Sequence, residues 1–170
     1  MKLLSAVSFL TVIIMTSFTG VPKLTVTSTS FTDNGNIPTK YTCEGTQTSS
    51  ALNIGGAPAG TKSFALILND PDAPMAGGFT HWVMWNIAVD GNIPEDFKGA
   101  EQGFNGAKRV GYIGMCPPTG VHHYHFKVYA LDTQLTLDKS TDKAGLEKAM
   151  TGHILAEGEI VGLYKKVNQK

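Results

Sequence analysis

The strongest signal in the chain is a set of apolar runs with a period of two. Phe64 to Asn69 is apolar on both faces, Phe64, Leu66 and Leu68 on one and Ala65 and Ile67 on the other. That pattern predicts a central strand covered on both sides. In His81 to Val89, His81, Val83, Trp85, Ile87 and Val89 share one face and Trp82, Met84 and Ala88 the other, so a second central strand is expected. From His122 to Leu131 the alternation is stricter. His122, Tyr124, Phe126, Val128 and Ala130 form the core face, and His123, His125, Lys127 and Tyr129 the opposite one.

Shorter elements surround these three. Leu24 to Ser28 alternates and is rich in β-branched residues, which predicts a half-buried strand, and His153 to Tyr164 reads as a closing strand before Lys165-Lys166. Thr141 or Asp142 can cap a helix with the stripe Leu146, Ala149 and Met150, ending near Gly152. Tyr41-Thr42-Cys43 is expected as a short strand or an extended rim segment. Phe31 to Lys40 carries turn chemistry, as do Asn53 to Gly56 and Pro58 to Gly60 within the polar stretch Glu44 to Gly60. Glu95 to Gly111 has too many glycines and charges for a regular element and reads as an exposed excursion.

Composition narrows the class. The 19 Gly and 8 Pro are spread between short apolar runs in a chain of 170 residues, which indicates many turns and a mainly β architecture. Lys+Arg and Asp+Glu both number 14, so no global field attracts nucleic acid or an anionic membrane. Met1-Lys2 and the apolar stretch Leu3 to Phe18 have the form of a secretory signal. The expected organisation is a signal peptide over residues 1–20 and a single domain over 21–170, in the periplasm or secreted. The alternative, an uncleaved anchor, is slightly short of a comfortable span. Cys43 and Cys116, the two cysteines, then suggest one disulfide.

Candidate chemistry gathers where the central strands meet loops. A ten-residue connection makes the first two strands antiparallel neighbours, so Asp70 at the end of one lies near His81 at the start of the next. His122 likewise opens the third strand on its core side, with Tyr124 one step deeper. Three strands thus present polar groups at a mouth above apolar residues, which is how a small pocket is built. Asp70 or Asp72 can orient a histidine through one ring N–H, and two imidazoles converging on one point suit an anion. Pro71 and Pro74 stiffen one wall and Met115 to Gly120 a second. His123, His125 and His153 are expected to be surface or structural. No tight metal-ligand spacing joins the pocket's histidines and aspartates, so neither a metal nor a cofactor is expected. A Cys116 and His122 pair could serve a Cys-dependent hydrolase, a reading that a disulfide at Cys116 excludes.

Asp70-Pro71-Asp72-Ala73-Pro74, Phe79-Thr80-His81-Trp82-Val83, Cys116-Pro117-Pro118 and Gly120-Val121-His122-His123-Tyr124 together resemble the phosphatidylethanolamine-binding protein (PEBP) family, in particular its bacterial Raf kinase inhibitor-like branch. The similarity runs from about Leu24 to Tyr164. It implies a large antiparallel-rich β-sheet packed on a smaller sheet, with few short helices. It also implies a shallow pocket for phosphate-like anions and phosphorylated headgroups, formed by Asp70, Asp72, Pro74, His81, Pro117, His122 and Tyr124. Ser49-Ser50-Ala51-Leu52 departs from the usual Ser-Pro-Pro-Leu type of segment. Met115 stands for a common Pro and His123 for a common Arg, and no counterpart follows Tyr164 for the C-terminal helix of animal members.

The expected function is therefore that of an exported, non-catalytic binding protein for a phospholipid headgroup or another phosphorylated ligand. The alternative is a protein-interaction or inhibitor role, directed at a kinase or protease, in which the pocket and Glu95 to Gly111 engage a partner. Expected partners are a small anionic or phosphorylated ligand, with a protein partner or a homodimer left open. No nucleic acid is expected, and no stable membrane insertion after signal removal.

Overall fold

The computed structural model describes residues 22–167; the expected signal stretch lies outside them. Six strands form the large sheet: β2 (Gly35–Asn36), β4 (Ser63–Asp70), β5 (Phe79–Ile87), β7 (Glu101–Gln102), β8 (His122–Leu131) and β9 (Ile154–Tyr164). Their spatial order is β2-β9-β8-β4-β5-β7, antiparallel throughout except for the parallel pair β2 and β9. A smaller antiparallel sheet, ordered β1-β3-β6, contains β1 (Thr25–Thr27), β3 (Leu52–Gly55) and β6 (Asn92–Ile93). The mainly β, two-sheet architecture expected from the sequence is present.

Strand alternation decides how these layers stick. On β8 the even-numbered positions from His122 to Ala130 are buried, and Tyr124, Phe126, Val128 and Ala130 join Phe64, Leu66 and Leu68 of β4 in the principal core. The small sheet closes that core with Val26, Leu52, Ile54 and Ile93. Ala65 and Ile67 point the other way and, with Val83 and Trp85, pack beneath Leu146 and Met150 of the helix α1 (Lys143–Met150). The double coverage explains why β4 lacks any polar face. Asp142 caps the helix by accepting from the Gly145 N–H, so the Asp142 alternative is the observed one.

Four local expectations are corrected. Asn53-Ile54-Gly55, read as a turn, belongs to β3, where Leu52 and Ile54 alternate inward against β1 and β6. Four residues give too short a window for the period to stand out beside Asn and Gly. Tyr41 ends a 3₁₀ turn, Thr39–Tyr41, and Thr42 makes an isolated parallel bridge to Met115. Glu95 to Gly111 is not wholly an excursion, since Glu101–Gln102 pairs with Trp85 and Met84 as the sheet's outer strand and Asn105 is buried. Finally, β5 does not alternate cleanly. Asn86 sits in the left-handed region (φ 56°) at a register shift, its side-chain amide exchanging hydrogen bonds with both backbone groups of Leu135. The extra residue transfers Ile87 from the face of Val83 and Trp85 to that of Trp82 and Met84.

Two constraints place the loops around the open end of the β4–β5–β8 group. The Cys43–Cys116 disulfide joins segments 73 residues apart, with a Cα–Cα distance of 5.4 Å. Gly78 ends the loop between β4 and β5 at φ +75°, where a Cβ would lie 2.2 Å from the Asp70 carbonyl oxygen and 2.7 Å from Pro71 Cα. Only glycine satisfies both the torsion and the approach. Replacing both cysteines by serine is expected to remove roughly 4 kcal/mol of stability in urea unfolding, as loop-closure entropy predicts for so long a loop. Gly78→Ala should cost at least about 2 kcal/mol in the same assay through left-handed strain and the backbone clash.

Candidate functional site

β4 ends at Asp70 and the antiparallel β8 begins at His122, so their termini are adjacent. His122 donates its Nδ1–H to Asp70 Oδ2 at 2.7 Å, with both side chains more than nine-tenths buried. The other carboxylate oxygen, Oδ1, accepts from the Asp72 N–H at 2.9 Å and starts the turn into the loop. Both oxygens are therefore engaged, as a buried carboxylate requires. The Nδ1 contact leaves His122 Nε2 as its remaining ring nitrogen.

His81 reaches the same place by an irregularity. Trp82 pairs with Leu68 and Thr80 with Asn69, so His81 is an extra residue between consecutive pairs. Strict alternation would send its ring toward Val83 and Trp85. The bulge turns it instead to the principal-core side, edge-on to Tyr124 at 5.3 Å and to Phe79 at 4.8 Å. Ile113 fixes it from the facing loop, donating its N–H to the His81 carbonyl at 3.0 Å and accepting from Nδ1 at 2.9 Å. A carbonyl can only accept, so Nδ1 carries the hydrogen and Nε2 presents a lone pair in the neutral ring. Burial pushes the His81 pKa below the usual histidine value; the Ile113 carbonyl and the Asp70 charge oppose this without overcoming it.

Tyr124 lies between the two imidazoles, its ring stacked at 6.4 Å from that of His122. Its hydroxyl is buried and has no partner in hydrogen-bond geometry. Burial first, and the nearby Asp70 charge second, push the phenol pKa far above its ordinary value. The phenol stays protonated, with the Asp70 carboxylate acting on it both by its charge and as a hydrogen-bond acceptor just outside ideal geometry.

A cavity of about 290 Å³ opens in front of this cluster. Asp70, Pro74 and His81, of the expected residues, line it directly. His122 and Tyr124 do not line it themselves and touch it only through Asp70 and His81. Pro117 is buried, and its neighbours Cys116 and Pro118 supply the cavity wall. Asp72 is placed differently from the expectation: its Oδ2 accepts from the His123 N–H and Nδ1–H at 2.8 and 2.7 Å, on the exposed rim. Those bonds lower the Asp72 pKa. Met75, Phe79 and Ile113, outside the expected set, also line the cavity. Met75, an exposed apolar residue in a loop of Pro, Asp and Gly, was the available signal.

Cys116 is bonded to Cys43, so it offers no thiol beside His122. Among the described residues no group of three or more His, Cys, Asp or Glu is arranged to hold a metal. A larger concavity, about 420 Å³, lies on the outer face near Lys23, Lys127 and Glu157. Its walls alternate in charge and lie on the sheet face opposite the buried histidines, so the smaller cavity is the better chemical candidate.

A sequence model of the phosphatidylethanolamine-binding protein family matches residues 27–165. The chain is 50% identical over 150 residues to a UPF0098 protein of Pyrococcus horikoshii, covering 82% of this chain and 75% of that one. It is 47% identical over 158 residues to a UPF0098 protein of Pyrococcus abyssi, covering 86% and 88%. The crystal structure of a PEBP homologue of Chlamydia trachomatis superposes with a TM-score of 0.81 at 38% identity, covering 85% of this chain and 98% of that one. For Escherichia coli YbcL, described as a member of the mammalian PEBP family, the values are 0.79, 34%, 85% and 99%. With the sequence match spanning nearly all described residues and the two-sheet fold shared with both crystal structures, the chain belongs to the phosphatidylethanolamine-binding protein family.

Proposed function

We propose that this is an exported binding protein whose cavity takes a small anion or phosphoryl group, held at His81 with His122 and Tyr124 behind it. The observation that carries this reading is His81, its Nδ1–H fixed by the Ile113 carbonyl, lining the cavity beside Asp70, whose carboxylate is held by His122. The signal-like residues 1–20 and the disulfide, a bond at home in oxidising compartments, support export.

Neutral His81 offers a lone pair, and Asp70 adds negative charge, so binding an anion without a proton of its own is coupled to uptake of a proton from solvent at His81 Nε2. The pKa of His81 is depressed in the free protein and would rise on binding. Affinity therefore grows as pH falls through the bound-state pKa toward the free-state one, by up to about tenfold per pH unit for one coupled proton.

Sulfate keeps a constant charge between pH 5.5 and 7.5, so it isolates the protein's titration. Its affinity, followed through the His81 ring signals by NMR, is expected to be at least fivefold higher at pH 5.5 than at 7.5. Saturable binding with no pH dependence would overturn the His81 assignment. His81→Phe keeps the ring contacts with Phe79 and Tyr124 but has no Nε2; it should weaken inorganic phosphate binding at pH 6 by tenfold or more, measured by calorimetry. A retained near-ultraviolet circular dichroism spectrum would show that packing is intact.

A further inference from the structure

The outer edge of β9 is bordered by two separate stretches of the chain. Leu24 donates its N–H to the Glu157 carbonyl at 2.7 Å, and Glu157 donates to that of Pro22 at 3.1 Å. Four residues along the strand, Asn34 donates to the Val161 carbonyl at 2.7 Å, and the Val161 N–H reaches Asp33 Oδ1 at 2.9 Å. Glu159 lies midway between them. Alternation along β9 turns its N–H and C=O to the same edge, away from its β8 neighbour Lys127. Neither group has a hydrogen-bond partner among the described residues. Where a bordering strand would continue lies the concavity of about 420 Å³, whose lining includes Lys23, Asp33, Lys127, Glu157, Glu159 and Val161.

The length of this gap and its charges define what fits. Four strand rises separate Glu157 from Val161, roughly 13 Å, and an extended tripeptide spans roughly 10 Å. A longer strand, including one from a second copy of the chain, would run into the stretch at Lys23 or the one at Asp33. Among the described residues no ion pair engages Lys23, Lys127, Asp33 or Glu157. Lys127 stands diagonal to Glu157 across the β8–β9 ladder and offsets that carboxylate, while Glu159 is bonded to His125. Asp33 accepts only from neutral donors, the Val161 N–H and the Asn34 amide. The surplus charge is therefore positive at the Lys23 end and negative at the Asp33 end.

We infer that this gap in the edge of β9 binds a short peptide with free ends, about three residues long, added as an antiparallel strand. Its central residue exchanges both backbone hydrogen bonds with Glu159, donating its N–H to the Glu159 carbonyl and accepting from the Glu159 N–H. A strand so oriented runs opposite to β9, which brings its ammonium to Asp33 and its carboxylate to Lys23. A parallel strand would turn both contacts into like-charge pairs. Main-chain bonds supply the recognition, so length and free ends define the ligand class more than side-chain identity does. The site is separate from the cavity at His81 and does not depend on the reading of that cavity.

The test is an NMR titration of the folded protein at pH 7 with four peptides: trialanine, its C-terminal amide, trialanine N-methylated at the central residue, and a hexapeptide of alternating alanine and serine. Trialanine is expected to shift the Glu159 amide saturably and to slow its hydrogen exchange by tenfold or more. The central N-methyl group should weaken binding by tenfold or more, since it removes the donor to the Glu159 carbonyl. The C-terminal amide should bind threefold or more weakly than the free acid to the unaltered protein, and equally to Lys23→Gln, whose exposed side chain has no packing role. The hexapeptide should bind no more tightly than trialanine. Absence of a saturable shift at Glu159, undiminished binding of the N-methylated peptide, equal binding of acid and amide to the unaltered protein, or tighter binding of the hexapeptide would overturn the assignment.

Discussion

The buried bond between Asp70 and His122 is the contact around which the open end of the large sheet is arranged. A carboxylate taken out of water costs several kcal/mol unless its oxygens are matched by donors. Here one oxygen is matched by the imidazole that begins β8 and the other by the backbone that leaves β4. Meeting that requirement joins two strands, starts the turn through Pro71 and places the loop that Gly78 then closes. The same pair orients the His122 ring on which Tyr124 stacks, and it fixes Asp70 in the cavity wall.

Much of this was legible in the chain because burial acts on alternate residues. The core face of β8, including His122 and Tyr124, follows from parity over ten positions, and the apolar run in β4 announces a strand covered on both sides. The helix was marked by its cap and stripe. What parity could not reveal were interruptions to itself. The extra residues at His81 and Asn86 each move neighbouring side chains across the sheet, and neither leaves a periodic trace. His81 was expected to share the face of Val83 and Trp85; it meets Tyr124 only because alternation fails at that residue.

Other misses have equally local causes. β3, β6 and β7 are two to four residues long and are formed by partners distant in sequence, so their own composition carries little signal. Asp72 shares one motif with Asp70, yet the turn between them sends the second carboxylate outward to His123. There His123 hydrogen-bonds the rim carboxylate through both its ring and its backbone N–H.

The ends of the described chain meet along β9. Leu24 donates to the carbonyl of Glu157, Glu157 donates to that of Pro22, and Asn34 and Ile37 donate to Val161 and Leu163. The earliest described residues therefore acquire their hydrogen-bond partners from the last strand to be synthesised. A growing chain cannot complete either the edge of the large sheet or the seat of Leu24 until more than 150 residues exist. Such long-range closure is entropically slow, so the final architecture belongs to the finished polypeptide, and the nascent one must spend its synthesis with Leu24 and its first backbone donors still in water.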